Sequence, residues 1–282
     1  MTQLKITEPV VSIEWLSANV DHPDLIILDA SLKKPNAEDS KNEYANIRIK
    51  NARFFDIENS FSEISGPLPH MMPTPELFSA EAQKLGIKQN SVIVVYDNHG
   101  MYSSPRAWWM FRAMGHENVA VLNGGLPSWR KANLACEPAR QMPVPHGNFK
   151  ASYQPALISD LEQVSVAMHD PGTLILDARS EGRFTGSTPE PRAGLRGGHI
   201  PNSINLPFEK VVKEGEMLPE DDLKEMFANL HVKNEKLIFT CGSGVTACII
   251  ALAAERAGLH QKSIYDGSWS EWGKLPDLPI EC

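Results

Sequence analysis

The chain has 282 residues, enough for one large or two ordinary domains, each with its own core. Hydrophobic residues make up 42% and charged residues 22%, the balance of a soluble globular protein, and a net charge of -8 supplies no broad basic surface for nucleic acid or anionic lipid. Small molecules or other proteins are the expected partners. The opening residues, Met1 to Pro9, hold no apolar run after a basic cluster and no later stretch approaches a membrane span, so a cytoplasmic location is expected. The four cysteines, Cys136, Cys241, Cys248 and Cys282, form no Cys-x-x-Cys and no regular framework; free thiols and no structural metal are expected.

Taken in chain order, the elements repeat. The apolar run Leu25 to Ala30 returns as Thr173 to Ala178, both ending in Asp-Ala, and each reads as a buried parallel strand. Ile49 to Phe55 is matched by Ile200 to Leu206, and the strand Val92 to Tyr96 by Lys236 to Thr240. A loop and a helical stretch follow each of those strands: Ser104 to Arg112 in one half, Ala247 to Ala257 in the other, with Gly115 and Gly258 placed to end them. Asn123 to Trp129 is echoed by Asp266 to Trp272.

Matches in one order across both halves predict a duplicated α/β unit, each copy a parallel sheet covered by helices on both faces. The expected domains are residues 1–138 and 158–282. The linker 139–157 contains Pro143, Pro145, Gly147 and Pro155. In such sheets ligands sit beyond the carboxyl ends of the strands, where the loops beginning at Asp97 and Cys241 fall.

The halves differ at that point. Asp97 aligns with Cys241, so the second half alone has a nucleophile. In Cys241-Gly242-Ser243-Gly244-Val245-Thr246 two glycines and a small serine let consecutive N–H groups turn toward the sulfur. With the helix N-terminus behind them they favour a thiolate, and equally a persulfide anion. Sulfur chemistry suits this loop better than acyl transfer, for which no acid beside a histidine base is evident. A buried small hydrophobe is the commoner fate of a cysteine, but it does not require glycine at both alternate positions that follow. Cys248, inside an apolar helix, reads as packing, and Cys136 and Cys282 as incidental.

Over essentially its whole length the chain resembles the tandem-domain rhodanese superfamily, and within it the sulfurtransferases that use 3-mercaptopyruvate. The resemblance rests on Asp177-Ala178-Arg179, Gly182-Arg183-Phe184, Pro189-Glu190-Pro191-Arg192, Gly198-His199-Ile200-Pro201, the Cys241 loop and Tyr265-Asp266-Gly267-Ser268-Trp269. In the first half it rests on Leu68-Pro69-His70-Met71, Ser104 to Trp109 and Gly124-Gly125-Leu126.

The resemblance implies two tandem rhodanese-like domains and no cofactor. Sulfur is expected to pass through a Cys241 persulfide to a thiol, cyanide or a thioredoxin-like protein, with release of pyruvate. Neutral Gly242 and Ser243, where thiosulfate-using members carry basic residues, favour 3-mercaptopyruvate as donor; thiosulfate is the alternative. Arg183 and Arg192 are the implied holders of the carboxylate and keto group, their forked guanidiniums matching a carboxylate. Gly242, Gly244, Val245 and Thr246 form the cradle, and Ser243 is catalytic or donates to the substrate.

Asp177 is expected to brace Arg183 or shape the pocket. His70 and Arg106 are further candidates for support from the first half, facing a cleft between the halves, and His199 is expected to hold a turn. Arg48 stands where the family's first half usually has histidine. On this reading Ser243 lacks an activating histidine, and neither Asp39 nor Glu43 can be assigned to help it. A phosphatase is disfavoured because Ala247 occupies the phosphate-binding arginine position. A purely binding role suits the first half, with Asp97 at the nucleophile position, better than the whole chain.

Overall fold

A computed structural model describes residues 4–33, 46–139, 143–232 and 235–282; Asp39 and Glu43 lie outside them. The chain divides into two compact units. One comprises Met1–Ser62, Pro73–Gln154 and Glu214–Met217, the other Glu63–Met72, Pro155–Lys213 and Leu218–Cys282. Each unit therefore includes a short segment from the other half of the chain.

In the first unit strands β1 (Val10–Val11), β2 (Leu25–Asp29), β4 (Arg53–Phe54), β5 (Val92–Tyr96) and β6 (Val119–Leu122) form a parallel sheet in the order β1-β6-β5-β2-β4. A separate antiparallel pair joins β3 (Ile47–Ile49) to β7 (Cys136–Pro138). Helices α1 (Ile13–Asn19), α2 (Pro75–Lys84), α3 (Ser104–Ala113) and α4 (Gly125–Lys131) alternate with the strands.

The second unit repeats the plan. Strands β8 (Ile158–Ser159), β9 (Thr173–Asp177), β10 (Ile204–Asn205), β13 (Lys236–Thr240) and β14 (Lys262–Tyr265) stand in the order β10-β9-β13-β14-β8, all parallel. Its helices are α5 (Leu161–Ala167), α6 (Glu181–Phe184), α7 (Glu220–Asn229), α8 (Ala247–Arg256) and α9 (Ser268–Trp272). A further short strand of this unit is β11 (Val212–Lys213), while β12 (Glu216–Met217) lies in the segment grouped with the first unit.

All five residues of β5 and four of five in β13 are buried. A strand covered on both faces needs apolar side chains at every position rather than at alternate ones, hence the runs Val-Ile-Val-Val-Tyr and Leu-Ile-Phe. One face of the second sheet packs Ile175 and Ile238 against Val164, Tyr265, Trp269 and Trp272. The corresponding face of the first packs Ile27 and Val94 against Leu16, Tyr96, Leu126 and Trp129.

The repeat extends to backbone conformation. Asn51 and Asn202 are both left-handed, at φ 65° and 62°, in turns closed by Ala52 N–H to Ile49 O and Ser203 N–H to Ile200 O. Asparagine tolerates that region better than most residues. Gly115 and Gly258, at φ 79° and 85°, follow the ends of α3 and α8.

Candidate active site

Register fixes the equivalence of the two loops. Asp29 pairs with Tyr96 as Asp177 pairs with Thr240, so Asp97 and Cys241 each leave the central strand at its carboxyl end. The N–H of Leu126 donates to Asp97 O as that of Trp269 donates to Cys241 O, both at 3.0 Å. The two loops then do different things.

In the first unit the loop closes on its own side chain. Asp97 Oδ1 accepts the N–H of His99 at 2.8 Å, and Oδ2 accepts those of Tyr102, Ser103 and Ser104 at 2.8, 3.0 and 2.9 Å. The Ser104 hydroxyl adds a bond of 2.7 Å to Oδ2. A buried carboxylate thus occupies the anion position at the N-terminus of α3.

In the second unit no such carboxylate is present. The N–H groups of Gly242, Ser243, Val245 and Thr246 meet no acceptor among the described residues, and α8 begins directly after them. Thr246 is its N-cap residue, and Gly244 turns the loop at φ 75°. The loop is held from behind. Cys241 N–H donates to Ser268 Oγ at 3.3 Å, while the N–H and hydroxyl of Ser270 donate to Gly242 O at 2.9 and 2.6 Å. Cys241 is a free thiol with 2% of its surface exposed. Cys248 is buried in α8, its thiol donating to Gly244 O at 3.2 Å.

Arg183 and Arg192 flank the loop. A Cβ placed on Gly242 would fall 2.9 Å from Nη2 of Arg183 and 3.8 Å from Nη1 of Arg192. A side chain here would push the Arg183 guanidinium aside while only touching that of Arg192, so glycine lets Arg183 approach the loop closely. Arg192 Nη2 also donates to Ser243 Oγ at 3.5 Å, a long bond.

Arg183 comes from α6 and is oriented by Glu190, which accepts Nε at 3.1 Å and Nη2 at 2.6 Å. Asp177 does not brace Arg183. Its two oxygens are taken by Arg179 through Nε, at 3.1 and 2.9 Å, and Nη2, at 2.6 Å. Arg179 is two residues beyond the strand end, within reach of Asp177, and its other edge donates from Nη1 to Glu190 at 2.9 Å. It also lies 4.2 Å from the centre of the Trp269 ring. Glu190 therefore bridges two arginines, Arg179 and Arg183, a role the motif spacing did not reveal.

His70, a candidate for support in the sequence, meets Ser243, contrary to the expectation that the serine has no histidine. Its Nδ1 lies 3.1 Å from Ser243 Oγ, so the serine has a histidine partner despite the Arg48 substitution. The segment Glu63–Met72 that carries His70 belongs to the second unit. It is pinned there by Met72 N–H, which donates to buried Asp266 at 2.7 Å. Arg48 lies in the first unit, where its Nη1 donates to Ala52 O at 3.1 Å across the turn. His199, at the equivalent point of the repeat, stacks on Phe184 at 3.7 Å and bonds the Phe184 carbonyl through Nδ1 at 2.8 Å. Both positions hold turns. Arg106 is wholly buried on α3 of the first unit.

Among the described residues no cluster of His, Cys, Asp and Glu is arranged to hold a metal ion, and no helix is long and apolar enough to cross a membrane.

The rhodanese-like domain family model matches residues 12–132 and again 160–275. A 3-mercaptopyruvate sulfurtransferase of Escherichia coli strain K12 is 41% identical over 274 residues, covering 96% of this chain and 97% of that protein. The mitochondrial thiosulfate/3-mercaptopyruvate sulfurtransferase 1 of Arabidopsis thaliana is 43% identical over 303 residues, covering 99% of this chain and 80% of that protein. The crystal structure of the Escherichia coli 3-mercaptopyruvate enzyme SseA superposes with a TM-score of 0.83 at 38% identity, over 94% of this chain and all (100%) of that one. With both copies of the domain matched and its central loops, sheet order and turns duplicated, the chain belongs to the rhodanese-like domain family.

Proposed function

We propose that this chain transfers sulfur from 3-mercaptopyruvate to an acceptor, releasing pyruvate, with Cys241 as the carrier. The observation that carries the reading is the set of open N–H groups beside the Cys241 thiol, flanked by two guanidiniums. An anionic sulfur fits the first and a 2-oxo carboxylate the second.

Arg183 and Arg192 hold the donor's carboxylate and keto oxygen, which brings its thiol sulfur to Cys241. The Cys241 thiolate attacks that sulfur, an S–S bond forms, and the C–S bond breaks with its electron pair moving to carbon as an enolate. The arginines and the Ser243 hydroxyl stabilise the developing charge on oxygen. A proton delivered from water through the His70–Ser243 pair completes pyruvate.

Cys241 then carries a persulfide. Its inner sulfur is buried, while the outer one, about 2 Å farther out, rests in the cradle and faces the acceptor. An acceptor thiolate attacks the outer sulfur and leaves Cys241 as thiolate again. Cyanide, a small thiol and a reduced thioredoxin-like protein are suitable acceptors, and a cytoplasmic setting supplies the last two.

Purified protein given 3-mercaptopyruvate is expected to yield pyruvate and a mass gain of one sulfur atom on the Cys241 peptide. Full turnover by Cys241→Ala would overturn the mechanism. Thiosulfate as principal donor is the second reading, favoured by the pair of guanidiniums. It predicts a higher kcat/KM for thiosulfate than for 3-mercaptopyruvate.

A further inference from the structure

We infer that Glu190 determines which donor charge the site accepts, by cancelling the charge of Arg183; this rests on the sulfur-transfer reading above. Three arginines lie at or behind the Cys241 loop, and two carboxylates answer them. Asp177, Arg179, Glu190 and Arg183 form one chain of alternating charge, linked at 2.6, 2.9 and 2.6 Å. The side chains of Asp177, Arg179 and Glu190 are nearly inaccessible, at 1%, 0% and 2%, while Arg183 retains 23%. Screening by water is weak for such groups, so their charges act on a ligand at close range.

The chain of four is neutral as a whole. Arg192 stands outside it: its one hydrogen bond is to Ser243 Oγ, and it has no carboxylate partner among the described residues. The permanent charge presented beside Gly242 is therefore that of one guanidinium, although two guanidiniums are present. Arg183 has Nε and Nη2 engaged by Glu190 and keeps Nη1 as a donor. It acts as an oriented neutral fork, suited to a keto oxygen, whereas Arg192 supplies the charge that matches a single carboxylate.

With the Cys241 thiolate also in the site, a second negative charge on the donor is disfavoured, so a monoanion fits this arrangement better than a dianion. Selection against thiosulfate thus comes from Glu190 as well as from the lack of basic residues in the loop. Glu190 is a positioning and specificity residue; it touches Arg183 rather than substrate.

The test compares kcat/KM for 3-mercaptopyruvate and thiosulfate in wild type, Glu190→Gln, Glu190→Asp and Arg192→Gln, with melting temperatures measured alongside. Glu190→Gln adds one net positive charge without changing shape, and the ratio of the two constants is expected to fall roughly ten-fold toward thiosulfate. Glu190→Asp keeps the charge and is expected to keep the ratio. Arg192→Gln should move the ratio the opposite way, which keeps the inference testable should Glu190→Gln not fold.

A purely structural role would lower both donors equally. An unchanged ratio in Glu190→Gln, or a fall in Arg192→Gln, would overturn the inference. Affinities of pyruvate and thiosulfate for Cys241→Ser protein, with and without Glu190→Gln, read the same shift without turnover. Absence of 3-mercaptopyruvate turnover in wild type would refute that donor reading and leave the binding comparison on Cys241→Ser protein to test the inference.

Discussion

Asp97 stands in the first unit where Cys241 stands in the second, and its carboxylate takes up loop N–H groups of the kind that the Cys241 loop leaves open. The duplicate cradle is filled from within. One copy of the fold is stabilised by a built-in anion, and the other keeps the equivalent place for chemistry.

Replacing Asp97 with Ala leaves buried donors at the start of α3 without an acceptor. Loss of charge-assisted bonds to a buried group costs about 3 kcal/mol. The expected outcome is a lowered denaturation midpoint for the transition reporting the first unit, read by tryptophan fluorescence from Trp108 and Trp109 on α3. An unchanged midpoint would remove the capping role.

The His70–Ser243 pair predicts non-additive kinetics. His70→Ala and Ser243→Ala are each expected to lower kcat roughly a hundredfold. The double variant should be little worse than either, since the two act as one unit. Independent, multiplying effects would separate them.

Asp266 holds the main chain of Met72, two residues from His70. Asp266→Ala frees the segment that carries His70, so kcat should fall while KM for 3-mercaptopyruvate changes little. A rise in KM with unchanged kcat would place Asp266 in donor binding instead.

Stability should depend on pH through His116. Buried at 3% exposure beside Phe111 and Phe149, its imidazolium is disfavoured and its pKa lies below the usual histidine value because of burial. The unfolded chain therefore takes up the proton first, and stability is lost as pH falls from the ordinary histidine value toward the lower folded one. Urea midpoints at pH 7.5 and 5.5 should differ less in His116→Phe than in wild type. An equal difference in both would exclude this histidine as the cause.

The repeat is legible because it is written in local chemistry: apolar runs covered on both faces, an asparagine at the matching turn of each half, a glycine after α3 and after α8. The Cys241 loop was legible for the same reason, its glycines and sulfur being contiguous. What escaped was long-range. His70 and Ser243 are 173 positions apart, and nothing local to Ser243 names its partner.

Arg48 occupies the motif position of a histidine, but that position does not carry the catalytic role expected of it. His199 at the equivalent point bonds a carbonyl and stacks on a ring, so the position serves a turn in both halves. Of the two expectations for Asp177, bracing Arg183 fails because Arg179, two residues away, claims both of its oxygens. Glu190 stands within a motif, but spacing alone does not show one carboxylate serving two guanidiniums.

The membership of Glu63–Met72 in the second unit has a consequence for dividing the gene. A fragment starting at Pro155 would carry the nucleophile, its cradle and both arginines, yet lack His70 and the Met72 N–H that meets Asp266. On the proposed mechanism, cutting the molecule at its most obvious seam would yield a half that keeps the sulfur-carrying cysteine but lacks the histidine that pairs with Ser243. Duplication supplied the two folds; exchange of a ten-residue strip made one of them dependent on the other's sequence.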